Sequence, residues 1–237
     1  MSLNDDIRRL QTRVGVTADG IVGPATVAAI LKALDGLDGP GAADAAQPVS
    51  AALLTPRVVM ELIEHEAIVQ EAYLDSVGVW TWGIGVTSAS GHNVDRYRDN
   101  PQPIRRCVEI FVWLLRQRYV PGVVEAFAGC SLTEAQFGAA LSFHYNTGAI
   151  GRADWVKLWR AGDVAGARSA IMNWRKPPEI VARREKERAL FCDGKWSQDG
   201  FATVWPVSKP SYRPNFRAGR HVDVREEVRL AMADAVP

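Results

Sequence analysis

The chain has 237 residues, 47% of them hydrophobic, with 28 Lys/Arg against 27 Asp/Glu for a formal charge of +1. That length allows one medium domain with appendages. The near-neutral balance supplies no field for holding nucleic acid or another strong polyanion.

Residues 1–36 read as two short helices. Ile7, Leu10 and Val14 are expected inward on the first, with Gly15 as its stop. The second should begin at Pro24 and bury Val27, Ile30, Leu31 and Leu34. The pairs Leu10-Gln11 and Asp19-Gly20, followed by Gly23-Pro24 and Thr26, resemble the signature of the peptidoglycan-binding type 1 module. The resemblance implies a wall-binding unit carried by Leu10, Gln11, Asp19, Gly20, Gly23 and Thr26. It covers only residues 4–36, and segments below ~40 residues seldom bury enough apolar surface to fold alone. The segment is therefore expected to dock on the larger C-terminal domain or to be a trimmed wall-binding unit. Residues 37–54, rich in Gly, Ala, Pro and Asp, read as a flexible linker.

Thr55-Pro56 is an N-cap followed by proline at the first helical position. The helix it starts carries Val59, Leu62 and Ile63 at i, i+3 and i+4, and the next position on that stripe is Glu66. Glu61 and Glu64 fall off the stripe and are expected in water. Desolvation against apolar surface is what a general acid needs to stay protonated near neutrality, so Glu66 is the candidate acid. Asp75-Ser-Val-Gly78 is a turn signal, and the alternation from Val79 to Val86 reads as a strand. One face holds Trp80, Trp82, Ile84 and Val86. The other holds Val79, Thr81, Gly83 and Gly85, small residues that would let a sugar ring approach the backbone. Asp75, in a polar turn, is the candidate ionised partner.

A glutamate, eight residues, an aspartate, five residues and a threonine form a pattern that resembles the phage endolysin muramidases of glycoside hydrolase family 24. The likeness continues through Gln136 to Gly148, through Trp155 to Gly162, and through Trp174 with Arg183-Arg184 and Glu187. It spans residues 55–196 and implies a mainly helical α+β fold, lysozyme-like and two-lobed, with a small β-hairpin lobe. It also implies hydrolysis of the β-1,4 bond between N-acetylmuramic acid and N-acetylglucosamine. Glu66 is then the general acid, Asp75 holds the attacking water and Thr81 helps place it. Asn146 lines the cleft and Arg183 pairs with the catalytic glutamate, with Gly83 and Gly85 at the substrate. The chain departs from many members after Gly85, where Val86-Thr87 replaces a histidine-threonine pair, and after Trp174, where Arg175-Lys-Pro-Pro178 replaces glycines.

Residues 197–237 form an extension of unassigned role. Val204 to Phe216 should be extended and aromatic, able to wrap a domain or meet a sugar face, with a helix from Asp223 to Asp234. Three cysteines, Cys107, Cys130 and Cys192, leave at least one unpaired and point to synthesis in a reducing compartment. No signal peptide and no membrane-spanning run is read. Together with these readings, the resemblance to the phage endolysins implies a monomer made in the host cytoplasm and released to the wall by a holin-type protein. His65, His92, His144 and His221 lack zinc-ligand spacing, so no metal or cofactor is expected. The rival readings are a lytic transglycosylase, which needs no ionised aspartate, and a non-catalytic wall-binding protein.

Overall fold

The computed structural model describes residues 2–37 and 45–234, with the side chains of 2–30 and 45–233. The chain divides into two compact units, Met1–Ala45 and Ala46–Pro237.

In the first unit α1 (Leu3–Arg13) opens with a capping box, Ser2 Oγ accepting from the Asp5 amide and Asp5 accepting from the Ser2 amide at 3.0 Å. Helix α2 (Pro24–Leu37) follows. The side chain at the centre of this unit is Gln11, 1% exposed. Its Nε2 donates to Asp19 Oδ1 at 2.7 Å, the Ile21 carbonyl at 2.9 Å and Thr26 Oγ1 at 3.0 Å, while its Oε1 accepts from the Gly20 amide at 2.8 Å. The bonds to the loop carbonyl and amide satisfy backbone groups that have no helix or strand partner, which is why a polar residue occupies the interior. The apolar stripe expected here is corrected in part: Leu10 is 40% and Val27 44% exposed, while Ile7, Val14 and Ile30 are half-buried. The side chains of Leu31 and Leu34 lie outside the described residues.

Residues 38–44 of the expected linker also lie outside the described residues, but its second half is not a linker. Strand β1 (Gln47–Pro48) pairs antiparallel with β5 (Ser131–Leu132), and Leu53 and Leu54 are buried. Two apolar leucines ahead of the Thr55 cap draw that segment into the core.

The second unit has a helical lobe. Helix α3 (Pro56–Glu66) is capped by Thr55, whose Oγ1 accepts from the Val58 amide at 3.2 Å. Val59, Leu62 and Ile63 are buried as their spacing requires. Glu61 is buried too, against expectation, because Ser197 and Gln198 supply donors to it. Helix α4 (Ile104–Leu114) runs through a π-helical turn into α5 (Val120–Ala126). Helix α6 (Glu134–Thr147) is buried on nearly every side, which fits its Ala/Gly/Phe composition. Gly138 lets Val58 and Trp196 come within 3.4 and 3.6 Å of where a Cβ would stand. Helices α7 (Asp154–Arg160), α8 (Val164–Ile171) and α9 (Val181–Asp193) complete the lobe, with α9 packed along α6.

The small lobe is an antiparallel sheet of β2 (Val69–Leu74), β3 (Trp80–Gly83) and β4 (Val86–Thr87), with Tyr73 opposite Thr81 and Thr81 opposite Thr87. The C-terminal segment is folded onto this unit. Strand β6 (Phe201–Val204) pairs with β9 (Arg220–Asp223), and β7 (Val207–Ser208) with β8 (Arg213–Pro214). Helix α10 (Arg225–Asp234) packs on α4 and α3, burying Val228 and Ala231. Residues 197–234 are thus part of the second unit. Among the described residues no helix is long and apolar enough to cross a membrane.

Candidate active site

Glu66 is the last residue of α3 and meets Arg183 of α9: Arg183 Nη1 donates to Glu66 Oε1. The side chains are 19% and 10% exposed, so this ion pair is largely shielded from water. Arg183 is fixed from behind, its Nε donating to Glu187 Oε1 at 3.0 Å and its Nη2 to the Ser142 carbonyl at 3.2 Å. Ser142 Oγ donates to the same Glu187 oxygen at 2.7 Å. Arg184, fully buried, donates to Glu187 Oε2, to the Trp174 carbonyl at 3.0 Å and to Asn146 Oδ1 at 2.8 Å. The Arg183–Glu187 pair, which the i, i+4 spacing alone would place on a surface, lies inside. Two guanidinium groups share one buried carboxylate, and every nitrogen of both has an acceptor, as buried charge demands.

Three tyrosines that sequence reasoning missed surround Glu66. Burial, and then the charge of Glu66, push the phenols of Tyr73, Tyr119 and Tyr145 above their ordinary values. Asp75 adds to the effect at Tyr73, so that ring senses both candidate carboxylates. Tyr145 Oη donates to the Ile84 carbonyl at 2.7 Å, tying α6 to the sheet. The available signal was Tyr145's place beside Asn146 and Tyr73's place two residues before Asp75.

Asp75 starts the turn between β2 and β3. Its Oδ1 accepts from the amides of Val77 at 3.0 Å and Val79 at 2.8 Å, the side-chain turn that Asp favours. One carboxylate oxygen is thereby engaged, and Oδ2 stands outside that turn. Thr81 is 4% exposed, its hydroxyl donating to the Val79 carbonyl at 3.2 Å. Gly85, at φ +69°, has Tyr145 Oη at 2.8 Å and Glu66 Oε2 at 3.5 Å from its would-be Cβ, which sets it beside the carboxylate. Gly83 is corrected: it is buried, and its would-be Cβ faces Cys107 at 3.6 Å, so it presents no open backbone to a sugar.

Asn146 is exposed and held by Arg184, not used as a helix cap; Gly148, left-handed at φ 63°, ends α6. With Thr147, Trp174, Lys176 and Arg184 it lines a depression of about 350 Å³. A larger one of about 480 Å³, beside Gly122, His144 and Arg160, shares no residue with this group.

A mainly helical two-lobed domain with a small sheet carrying Asp75 and a helix end carrying Glu66 defines a lysozyme-like fold. The structure of an endolysin from Escherichia coli O157:H7 phage FAHEc1 is similar at a TM-score of 0.55 and 22% identity, over 61% of this chain and 96% of that one. The phage lysozyme family model matches residues 63–187, more than half of the chain, and the chain belongs to that family. An endolysin of Bacillus phage B103 is 33% identical over 86 residues, 33% of this chain. The match spans 32% of that relative's length.

Proposed function

We propose that the protein is a muramidase, hydrolysing the β-1,4 bond between N-acetylmuramic acid and N-acetylglucosamine in bacterial peptidoglycan. The observation that carries this reading is the shielded Glu66–Arg183 pair at one end of β2, with Asp75 in an open turn at the other. Two carboxyl groups in unlike environments are what glycoside hydrolysis requires. In its protonated form, with Arg183 donating to Oε1, Glu66 gives its proton to the leaving glycosidic oxygen as the bond to the anomeric carbon breaks. Asp75, with Thr81, orients a water on the opposite face and takes its proton as the oxygen adds to that carbon. The configuration inverts, which goes with a carboxyl separation of ~6.5–9.5 Å. Asn146 contributes an oriented amide to the glycan or its peptide stem. The setting we infer is host lysis by a monomer made in the cytoplasm and released with the help of a holin-type protein, the first unit serving wall attachment.

The test is mass spectrometry of soluble fragments released from purified peptidoglycan by the wild type and by Glu66→Gln. Reducing N-acetylmuramic acid ends from the wild type alone support the muramidase. Anhydro ends identify a lytic transglycosylase, and no fragments at all point to a wall-binding protein without catalysis.

A further inference from the structure

The C-terminal segment lies beyond residues 63–187, which the family model matches, and it touches the backbone on both sides of the proposed catalytic pair. It begins at Glu61, on the same helix as Glu66. Glu61's buried carboxylate accepts from the Ser197 amide at 3.0 Å, Ser197 Oγ at 2.7 Å and the Gln198 amide at 3.0 Å. It then crosses the residue just beyond the helix end. The Ile68 amide donates to the Thr203 carbonyl at 2.8 Å, and the Trp205 amide donates to the Ile68 carbonyl at 2.9 Å. Between Glu66 and Ile68 sits Ala67 at φ 59°, ψ −179°, a conformation open essentially to glycine alone. A strained residue persists only where its surroundings over-determine it, and the two bonds to Ile68 do so here.

The segment reaches Asp75 as well. The Leu74 amide donates to the Tyr212 carbonyl at 2.7 Å, and Arg213 Nη1 donates to the Asp75 carbonyl. Tyr212 packs edge-on against Trp80 at 5.2 Å, and its hydroxyl donates to Asp99 Oδ2 at 2.8 Å. Lys209 bridges Asp99 and Glu71 of β2. Strand β2 is an edge strand, and this segment covers its free side.

We propose that residues 197–213 are a positioning strap that fixes Glu66 and Asp75 relative to each other, and that Arg213 is its positioning residue at Asp75. This rests on the muramidase reading. Arg213 is exposed and lies outside the core, so its removal perturbs the turn and not the fold. Displacing a catalytic group by an ångström costs up to ~100-fold in rate, so even partial loosening of the turn is visible in turnover.

The experiment uses the full chain as wild type, Arg213→Ala, Arg213→Lys and, as a control just beyond the strap, Arg217→Ala. Measured are kcat and KM on purified peptidoglycan, thermal midpoint, and amide hydrogen exchange at Leu74, Val77 and Val79. For Arg213→Ala we expect kcat down about tenfold with KM and midpoint unchanged, faster exchange at Val77 and Val79, partial recovery in Arg213→Lys, and no effect of Arg217→Ala. Wild-type turnover and exchange in Arg213→Ala, or a kcat loss that tracks a fallen midpoint, overturns the strap. An inactive wild type whose turn amides still loosen in Arg213→Ala removes the muramidase reading and leaves the strap standing.

Discussion

Arg183 donates to Glu66 across 117 residues of chain while its Nε holds Glu187 at 3.0 Å, so one guanidinium joins the end of α3 to the interior of α9. Arg183→Ala strands the shielded Glu66 carboxylate, while Glu187 keeps Arg184 and Ser142, and losing one partner of a buried pair costs ~3–5 kcal/mol. Arg183→Lys keeps the charge but loses the planar fork that reaches both carboxylates. Urea unfolding should show the large loss for alanine only, and fragment release from peptidoglycan should fall for both. Full turnover in the lysine variant would show that the fork is not needed to orient Glu66.

Glu61 makes stability depend on acid pH. Burial pushes its carboxyl up, but the His65 ring at 3.7 Å, Ser197 and Gln198 outweigh burial and hold it below the ordinary 4.5. A carboxylate depressed in the folded state contributes stability above its unfolded value, lost as pH falls through the folded one. Denaturant midpoints measured from pH 6 down to pH 3 should therefore fall less steeply below about pH 4.5 in Glu61→Gln than in wild type. Parallel curves would remove Glu61 from the acid response.

What the sequence disclosed was what is local. Thr55-Pro56 and the Val59, Leu62, Ile63 stripe mark α3 because cap and periodicity lie within one segment. Glu61 reads as exposed because its donors, Ser197 and Gln198, lie 136 and 137 residues away. In the first unit the signature residues were visible, but their work was not. Gln11 is buried because the loop's backbone needs its amide, while Leu10 on the presumed stripe is exposed. The C-terminal strands of two to four residues carry no periodicity to read. Glu66 and Asp75 stood out as a pair, but the tyrosines around Glu66 did not, because Tyr119 and Tyr145 arrive from the turn ahead of α5 and from α6.

The Gln11 knot predicts that Gln11→Ala damages the first unit alone. The Gly20 amide loses its partner, at ~1–3 kcal/mol for a shielded donor left unsatisfied, while the Ile21 carbonyl keeps its bonds from the Gly23 amide and Thr26 Oγ1. In the full chain, amide exchange should quicken across α1 and the start of α2, with protection in α6 unchanged. Binding to insoluble peptidoglycan, with Glu66→Gln in the background to prevent cleavage, should weaken if the unit attaches to wall. Undiminished binding with a loosened unit would assign attachment elsewhere.

Gly83 and Gly85 separate backbone cost from site cost. Both have positive φ, +64° and +69°, where a Cβ is strained at roughly 1–2 kcal/mol. At Gly83 the new methyl meets Cys107 at 3.6 Å, an ordinary contact. At Gly85 it meets Tyr145 Oη at 2.8 Å, so the Tyr145–Ile84 bond must give, while Glu66 Oε2 at 3.5 Å is in ordinary contact. Gly83→Ala and Gly85→Ala should thus lose comparable backbone stability. Only Gly85→Ala should lose peptidoglycan turnover beyond that, by about tenfold, because the Tyr145 ring that it moves packs beside Glu66. Equal turnover in the two variants at matched stability would show that Tyr145 does not hold Glu66 for catalysis.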